Sequence, residues 1–260
     1  MAAASVGEAP LRPLVIAGVP VLIATPVHAP PYATVLWCHG FRADALAHAA
    51  ELEACARAGY LAVGIDAVLH GARGTDELTA RLSRSPGGAL PVMLDIVEET
   101  FRELPALIDG LVAHHGASRE RLAMVGISMG AFLAYRSIRG GLPLRSVIAL
   151  LGSPEPSLSV DARDRGDEHD ALDAFRRVAL LSITAEHDES VPPAPVRRLH
   201  ERLERANAAM ASPVQPEAQG VRIEDRHHEL RGSGHLTSAD AWAEAMHEMM
   251  RWLRDTVPPR

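Results

Sequence analysis

The feature that most constrains the fold is the pentapeptide at 126–130, Gly-Ile-Ser-Met-Gly. The apolar run at 121–125 is typical of a buried strand, and residues 131–136 continue with helical spacing. Strand and helix therefore meet at Ser128, where the two flanking glycines let the elements pass closely around a strained serine. Because an ordinary tight turn has the same small residues, the pentapeptide alone leaves a turn and a nucleophile as alternatives.

Composition favours one large α/β domain. The chain has 260 residues, 47% of them hydrophobic, enough for a substantial core. We predict a flexible N-terminus at 1–11 and a single domain at 12–257. There is neither an apolar stretch long enough to span a membrane nor a secretory signal, so we expect a cytoplasmic protein without a membrane partner.

Charge and residue usage exclude several chemistries. The net charge is −7 with acidic and basic residues interspersed, which argues against a nucleic-acid partner. All 26 basic residues are arginines, so lysine Schiff bases and the phosphate-loop lysine are excluded. The two cysteines, Cys38 and Cys55, form no metal-ligand pair, and we expect buried thiols. We therefore predict neither a metal nor a cofactor.

Strand-like and helix-like segments alternate along the chain, which predicts a mostly parallel sheet of about eight strands with helices on both faces. The predicted strands are at 14–17, 21–24, 34–38, 60–66, 121–125, 145–151, 178–184 and 220–224. Helices are predicted at 45–58, 91–115, 194–209 and 238–254. Residues 75–90 are expected to be irregular with one helical turn, and the charged segment at about 153–177 to be a solvated loop or short cap.

Three chemically matched residues, Ser128, Asp188 and His235, follow predicted strands. Because parallel strands end at one edge of a sheet, we expect the three side chains to lie together. A serine needs a base to take its proton, and an acid orients that histidine. Glu186 and Glu189 are alternative acids. The loop beginning His39-Gly40 follows a buried strand and predicts an oxyanion site.

Several separated motifs resemble the α/β-hydrolase superfamily over residues 12–255. They are His39-Gly40-Phe41, Asp66 with the sequence HGARG at 70–74, the pentapeptide at 126–130, Asp188 with Val191-Pro192, and GSGH at 232–235. The sequence is most similar to lidless bacterial carboxylesterases near the dienelactone-hydrolase and prolyl-oligopeptidase-like branches. Ala185 departs from the pattern, since relatives often have glycine three positions before the acid.

The resemblance implies an α/β-hydrolase fold with a minimal cap and a serine hydrolase acting through an acyl-enzyme. Ser128, His235 and Asp188 would be nucleophile, base and acid, and the backbone N–H groups of Phe41 and Met129 the oxyanion donors. A short cap favours small esters. Peptidase, thioesterase and dienelactone-type activities remain alternatives, as does a catalytically silent binding protein.

Two further residues are candidates for the substrate pocket. Arg73, in the glycine-rich loop, could meet an acidic group of the substrate, and His187 lies beside the proposed acid. Asp66 also ends a strand at this edge, but we expect it to have a structural role. The predicted partner is a small-molecule ester, and a homodimer is an open alternative to a monomer.

Overall fold

The computed structural model describes residues 10–155, 168–210 and 224–260. Its strands are β1 (Arg12–Ile16), β2 (Val19–Ala24), β3 (Tyr32–Cys38), β4 (Leu61–Ile65), β5 (Ala117–Ile127), β6 (Ser146–Leu150), β7 (Ala179–Ala185) and β8 (Asp225–Leu230). Its α-helices are α1 (Ala49–Arg57), α2 (Glu77–Arg84), α3 (Ala89–His114), α4 (Met129–Arg139), α5 (Glu168–Phe175), α6 (Ala194–Met210) and α7 (Ala239–Thr256). Short 3₁₀ turns occur at Leu46–His48 and Gly71–Arg73.

The strands form one eight-stranded sheet in the order β1-β2-β4-β3-β5-β6-β7-β8. The first two strands are antiparallel to their neighbours, whereas β3 to β8 are all parallel. Apolar side chains cover both faces, with α3, α4 and α6 packed on one and α1 and α7 on the other. The predicted α/β architecture is confirmed.

Continuous apolar sequences form the central strands because both of their faces are buried. Every residue of β3 and β7 is buried, as are the last six of β5. Within β3, Leu36 packs toward α3 and α4, and the next residue, Trp37, packs toward α1 and α7. This alternation fixes the register, since a one-residue slip would exchange the two cores.

The structure corrects the sequence prediction in two segments. The last strand among the described residues is β8 at 225–230; of the strand predicted at 220–224, all but Glu224 lies outside the described residues. Its sequence, DRHHEL, is polar because β8 is an edge strand and five of its six residues are only partly buried. The segment expected to be largely irregular contains the two-turn helix α2 and the start of α3. Of the predicted cap at about 153–177, residues 156–167 lie outside the described residues, and α5 occupies 168–175.

A buried chain of hydrogen bonds connects α4 to the far edge of the sheet. The Tyr135 hydroxyl donates to Ser182 Oγ at 2.9 Å, and Ser182 Oγ lies 2.8 Å from His200 Nε2. His200 Nδ1 in turn faces Asp225 Oδ1 at 3.3 Å. These residues belong to α4, β7, α6 and β8, so a satisfied polar network joins the four elements within the fold.

None of the helices in the described ranges is both long enough and apolar enough to cross a membrane.

Candidate active site

Ser128 occupies the corner between β5 and α4 in a strained conformation. Its φ is 52° and its ψ −112°, a region that non-glycine residues rarely adopt and that costs about 1–3 kcal/mol. The corner is held because the Ser128 N–H donates to the Leu150 carbonyl at 2.8 Å and the Ser128 carbonyl accepts from Ala131 and Phe132. The surrounding backbone thus holds the serine at the carboxyl edge of the sheet.

The glycines of the pentapeptide are required by close backbone packing. A β-carbon on Gly126 would overlap the carbonyl group of Gly130, and one on Gly130 would overlap the carbonyl group of Cys38. Neither glycine has positive φ, so the constraint is space rather than backbone conformation. This packing places α4 directly against the ends of β3 and β5, as the sequence predicts for a sharp strand-to-helix turn.

Ser128, His235 and Asp188 form a continuous hydrogen-bonded chain. Ser128 Oγ lies 3.1 Å from His235 Nε2, and His235 Nδ1 lies 2.7 Å from Asp188 Oδ2. The other carboxylate oxygen, Oδ1, accepts the backbone N–H groups of Ser190 at 2.9 Å and Val191 at 2.8 Å. The Asp188 side chain is 1% exposed, whereas that of His235 is 24% exposed and open to the pocket.

The neighbouring acids are directed elsewhere. Glu186 accepts the Gly232 N–H at 2.9 Å, and this bond lowers the pKa of its exposed carboxyl group. Glu189 is exposed, and Asp188 is the carboxylate that meets the histidine. His187 does not line the pocket, contrary to the sequence prediction: its side chain is 67% exposed and near Glu186 because the acid turn directs it to solvent.

The predicted oxyanion loop lies against the serine. A β-carbon on Gly40 would be 3.7 Å from Ser128 Cβ, and Phe41 lines the same pocket as Ser128. Met129 is the first residue of α4, where backbone N–H groups lack helical partners. In the described part of the chain, neither the Phe41 nor the Met129 N–H has an acceptor. Both are therefore available to an oxygen of a ligand.

His39 orients the peptide group that carries one of these donors. Its Nε2 accepts the Ala67 N–H at 3.1 Å, so Nδ1 carries the proton and donates to the Gly40 carbonyl at 2.8 Å. Burial lowers the pKa of His39, which favours this neutral form. Since C=O and N–H point in opposite directions in a trans peptide, the bond to Gly40 also fixes the direction of the Phe41 N–H.

Arg73, a candidate pocket residue in the sequence, is not among the described residues that line the pocket. Its guanidinium forms two hydrogen bonds with Glu103 at 2.6 and 2.7 Å, which keeps its charge on α3. Nearby Asp66 accepts the backbone N–H groups of Ala45 at 2.9 Å and Ala72 at 2.8 Å. Asp66 therefore joins two loops at the carboxyl edge of the sheet, in agreement with the structural role expected for it.

A pocket of about 190 Å³ opens beside the serine and is lined mainly by apolar side chains. Its lining comprises Phe41, Ala89, Leu90, Met93, Ser128, Phe132, Ser190, Val191 and His235. Phe132 could have been found from the sequence because it lies one helical turn after Ser128. The residues of α3 could not, since no local pattern places that helix beside the serine.

The histidines whose side chains are described do not form a metal site. Among the described residues there is no group of three or more histidine, cysteine or carboxylate side chains placed to hold a metal ion. The adjacent pair on β8 has separate partners, since His227 Nε2 meets Thr184 Oγ1 at 2.8 Å and His228 Nε2 meets Glu244 at 2.7 Å.

Comparison with known proteins places the fold. Neither a family model nor a curated protein matches the chain. A Thermus thermophilus protein of known structure is 24% identical, with a TM-score of 0.68, and the match covers 94% of this chain and 98% of that one. A dienelactone hydrolase-like promiscuous phosphotriesterase from metagenomic libraries is 14% identical, with a TM-score of 0.66 and coverage of 96% and 99%.

The match to a puromycin-hydrolysing peptidase from Mycobacterium tuberculosis differs in extent. The identity is 16% and the TM-score 0.66, and the match covers 97% of this chain but 40% of the peptidase. The match therefore leaves the greater part of the peptidase chain unaligned with this protein. Sheet order, the serine corner and these structural likenesses agree: the chain has the α/β-hydrolase fold.

Proposed function

We propose that this protein is a metal-independent serine hydrolase that cleaves carboxylic esters through an acyl-enzyme. The observation that carries the proposal is the hydrogen-bonded chain from Ser128 through His235 to Asp188 at the opening of an apolar pocket. The similar solved structures supply the fold, and the residue roles are assigned from the geometry of the site itself.

The geometry supports a two-stage reaction. With its proton on Nδ1 facing Asp188, His235 presents the lone pair of Nε2 to Ser128 and takes the hydroxyl proton as the serine attacks the ester carbonyl. The oxygen of the tetrahedral intermediate would be bound by the N–H groups of Phe41 and Met129, each worth about 3–4 kcal/mol in such sites. His235 then protonates the departing alcohol, and a water molecule hydrolyses the acyl-enzyme by the same steps.

The pocket favours a neutral acyl group, and its volume of about 190 Å³ limits the length of that group. The described residues that line the pocket include no carboxylate, and Arg73, the nearby cation expected to reach a substrate, is neutralised by Glu103. An apolar pocket disfavours a charged acyl group because the charge would lose its hydration without gaining a partner. Peptidase, thioesterase and dienelactone-type hydrolysis use the same machinery, and a panel of substrates separates them from ester cleavage.

The test combines turnover with active-site labelling. Purified protein and its Ser128→Ala variant are assayed on p-nitrophenyl butyrate, the thioester S-phenyl thiobutyrate and an aminoacyl anilide, and both are treated with a fluorophosphonate probe. We expect the ester to be cleaved fastest, and the variant to lose at least about 10³-fold in activity and all labelling. A wild-type protein that neither turns over an ester nor labels would instead be a silent binding protein.

A further inference from the structure

The residues that line the pocket divide into two groups. Most belong to elements that also carry the reaction: the oxyanion loop, the serine corner with α4, and the acid and histidine loops. Among the described residues that line the pocket, only Ala89, Leu90 and Met93 come from an element outside this machinery, the first turns of α3. We propose that Leu90 and Met93 set the length of acyl chain that the enzyme accepts. This inference rests on the ester hydrolase function proposed above.

The three residues form one continuous wall. Positions 89, 90 and 93 of a helix lie within an arc of about 100° and therefore share one face. Met93 is only 9% exposed and belongs to the core, and the partly buried Leu90 packs against the same core. The α3 side of the pocket is thus closed by hydrocarbon and thioether groups, against which the end of an unbranched acyl chain would pack.

The position of this wall is fixed by contacts between helices. Glu98 of α3 forms an ion pair with Arg136 of α4, whose guanidinium lies 3.8 Å from the ring centre of Phe101. Arg81 of α2 also pairs with Glu99 of α3 at 2.6 Å. Since Ser128 is the N-cap of α4, the packing of α3 on α4 sets the distance from the nucleophile to the wall.

Chain-length preference should therefore change without a change in chemistry. A hydrophobic pocket discriminates by roughly 10-fold or more for each methylene that it cannot accommodate. Met93→Ala removes the side chain beyond Cβ and extends the pocket, whereas Met93→Trp fills it. We expect the optimum to move by about two carbons toward longer chains in the first variant and toward shorter chains in the second.

The experiment measures kcat/KM for p-nitrophenyl esters from acetate to decanoate. It compares wild type, Met93→Ala, Leu90→Ala and Met93→Trp. The matched control is Leu94→Ala, which truncates a partly buried leucine of the same helix that packs on the core but does not line the pocket. The readout is the ratio of kcat/KM between esters for one variant, which is independent of how much of that sample is folded.

The proposal predicts that Met93→Ala and Leu90→Ala each increase the ratio of octanoate to butyrate hydrolysis at least 10-fold, and that Leu94→Ala leaves it within about twofold. Unchanged profiles in the Met93 and Leu90 variants, or an equal shift in the control, would overturn the chain-length role alone. If wild type cleaves no ester of the series, the hydrolase function itself fails, and the inference fails with it.

Discussion

The substitution Asp188→Asn tests the catalytic geometry most directly because the structure dictates how the new side chain must lie. Oδ1 of Asp188 accepts two backbone N–H groups, from Ser190 and Val191. In the asparagine variant only the carbonyl oxygen can accept both, so the NH₂ group is forced toward His235 Nδ1. The imidazole then avoids two opposed N–H groups only if its proton moves to Nε2.

A histidine protonated at Nε2 faces Ser128 with a donor and cannot take the hydroxyl proton. Loss of the correct tautomer in a Ser-His-Asp site lowers kcat by about 10⁴-fold, or roughly 5.5 kcal/mol of transition-state stabilisation. Stability should fall much less. The three hydrogen bonds to Asp188 lose their charge assistance but not their geometry, so we expect a loss of about 1–3 kcal/mol and a decrease in Tm of several degrees.

The assay is kcat/KM for p-nitrophenyl butyrate between pH 5 and 10, with Ser128→Ala as background. Two neighbouring carboxylates supply the matched controls, Glu186→Gln and Glu189→Gln, which remove the same charge within two positions of the acid. Both controls should retain activity within about threefold, because neither carboxylate meets His235. If Asp188→Asn keeps more than a tenth of wild-type kcat/KM while either control loses activity, the reasoning is refuted.

Two other predictions concern packing and pH. Gly126→Ala should destabilise the fold by at least about 4 kcal/mol, because its β-carbon would overlap backbone atoms of Gly130. Gly110→Ala should cost less, because its β-carbon would meet a single side-chain methyl group, that of Ile16, and no backbone atom. Thermal unfolding of both variants checks this, and equal Tm values would contradict it. Burial and the neighbouring His200 lower the pKa of His227 from 6.5 to about 4, so the unfolded chain binds the proton more readily and stability falls as pH decreases from 6.5 to 4. In His227→Gln this decrease in the free energy of unfolding should be smaller by about 1–2 kcal/mol, after allowance for solvent screening. Urea titrations of both proteins at pH 4 and 7 measure the decrease, and an equal decrease in wild type and variant would contradict the prediction.

The parts of the fold and site that sequence predicts are those with a local cause. The serine corner depends on glycines within two positions of Ser128, and the buried strands appear as continuous apolar runs. The approach of Asp188 and His235 follows from their positions after neighbouring parallel strands. Each of these features can be predicted from residues close together in the sequence and from the rule that parallel strands end at one edge of the sheet.

The features that could not be predicted depend on distant partners. Arg73 has the right loop and charge for a pocket residue, but Glu103, 30 positions later, holds its guanidinium on α3. The strand β8 lacks an apolar pattern because it lies at the edge of the sheet, and its pairing with β7 is the result of tertiary structure. Likewise, Leu90 and Met93 lie beside the serine only because α3 packs on α4.

Because of the order of the strands, the elements that carry Ser128, Asp188 and His235 differ in how easily they unfold locally. Ser128 follows β5, which is hydrogen-bonded on both sides, whereas the His235 loop follows β8, the outermost strand. That loop is tethered through the His187 N–H to the Ser233 carbonyl and through the Glu186 N–H to Leu230. Since edge elements open at lower free energy than central strands, detachment of β8 would remove His235, the proposed base, from an otherwise folded molecule. Mild heat or a low concentration of denaturant would then abolish turnover before the spectroscopic signal of the central sheet changes. Cooling or dilution, respectively, would restore turnover.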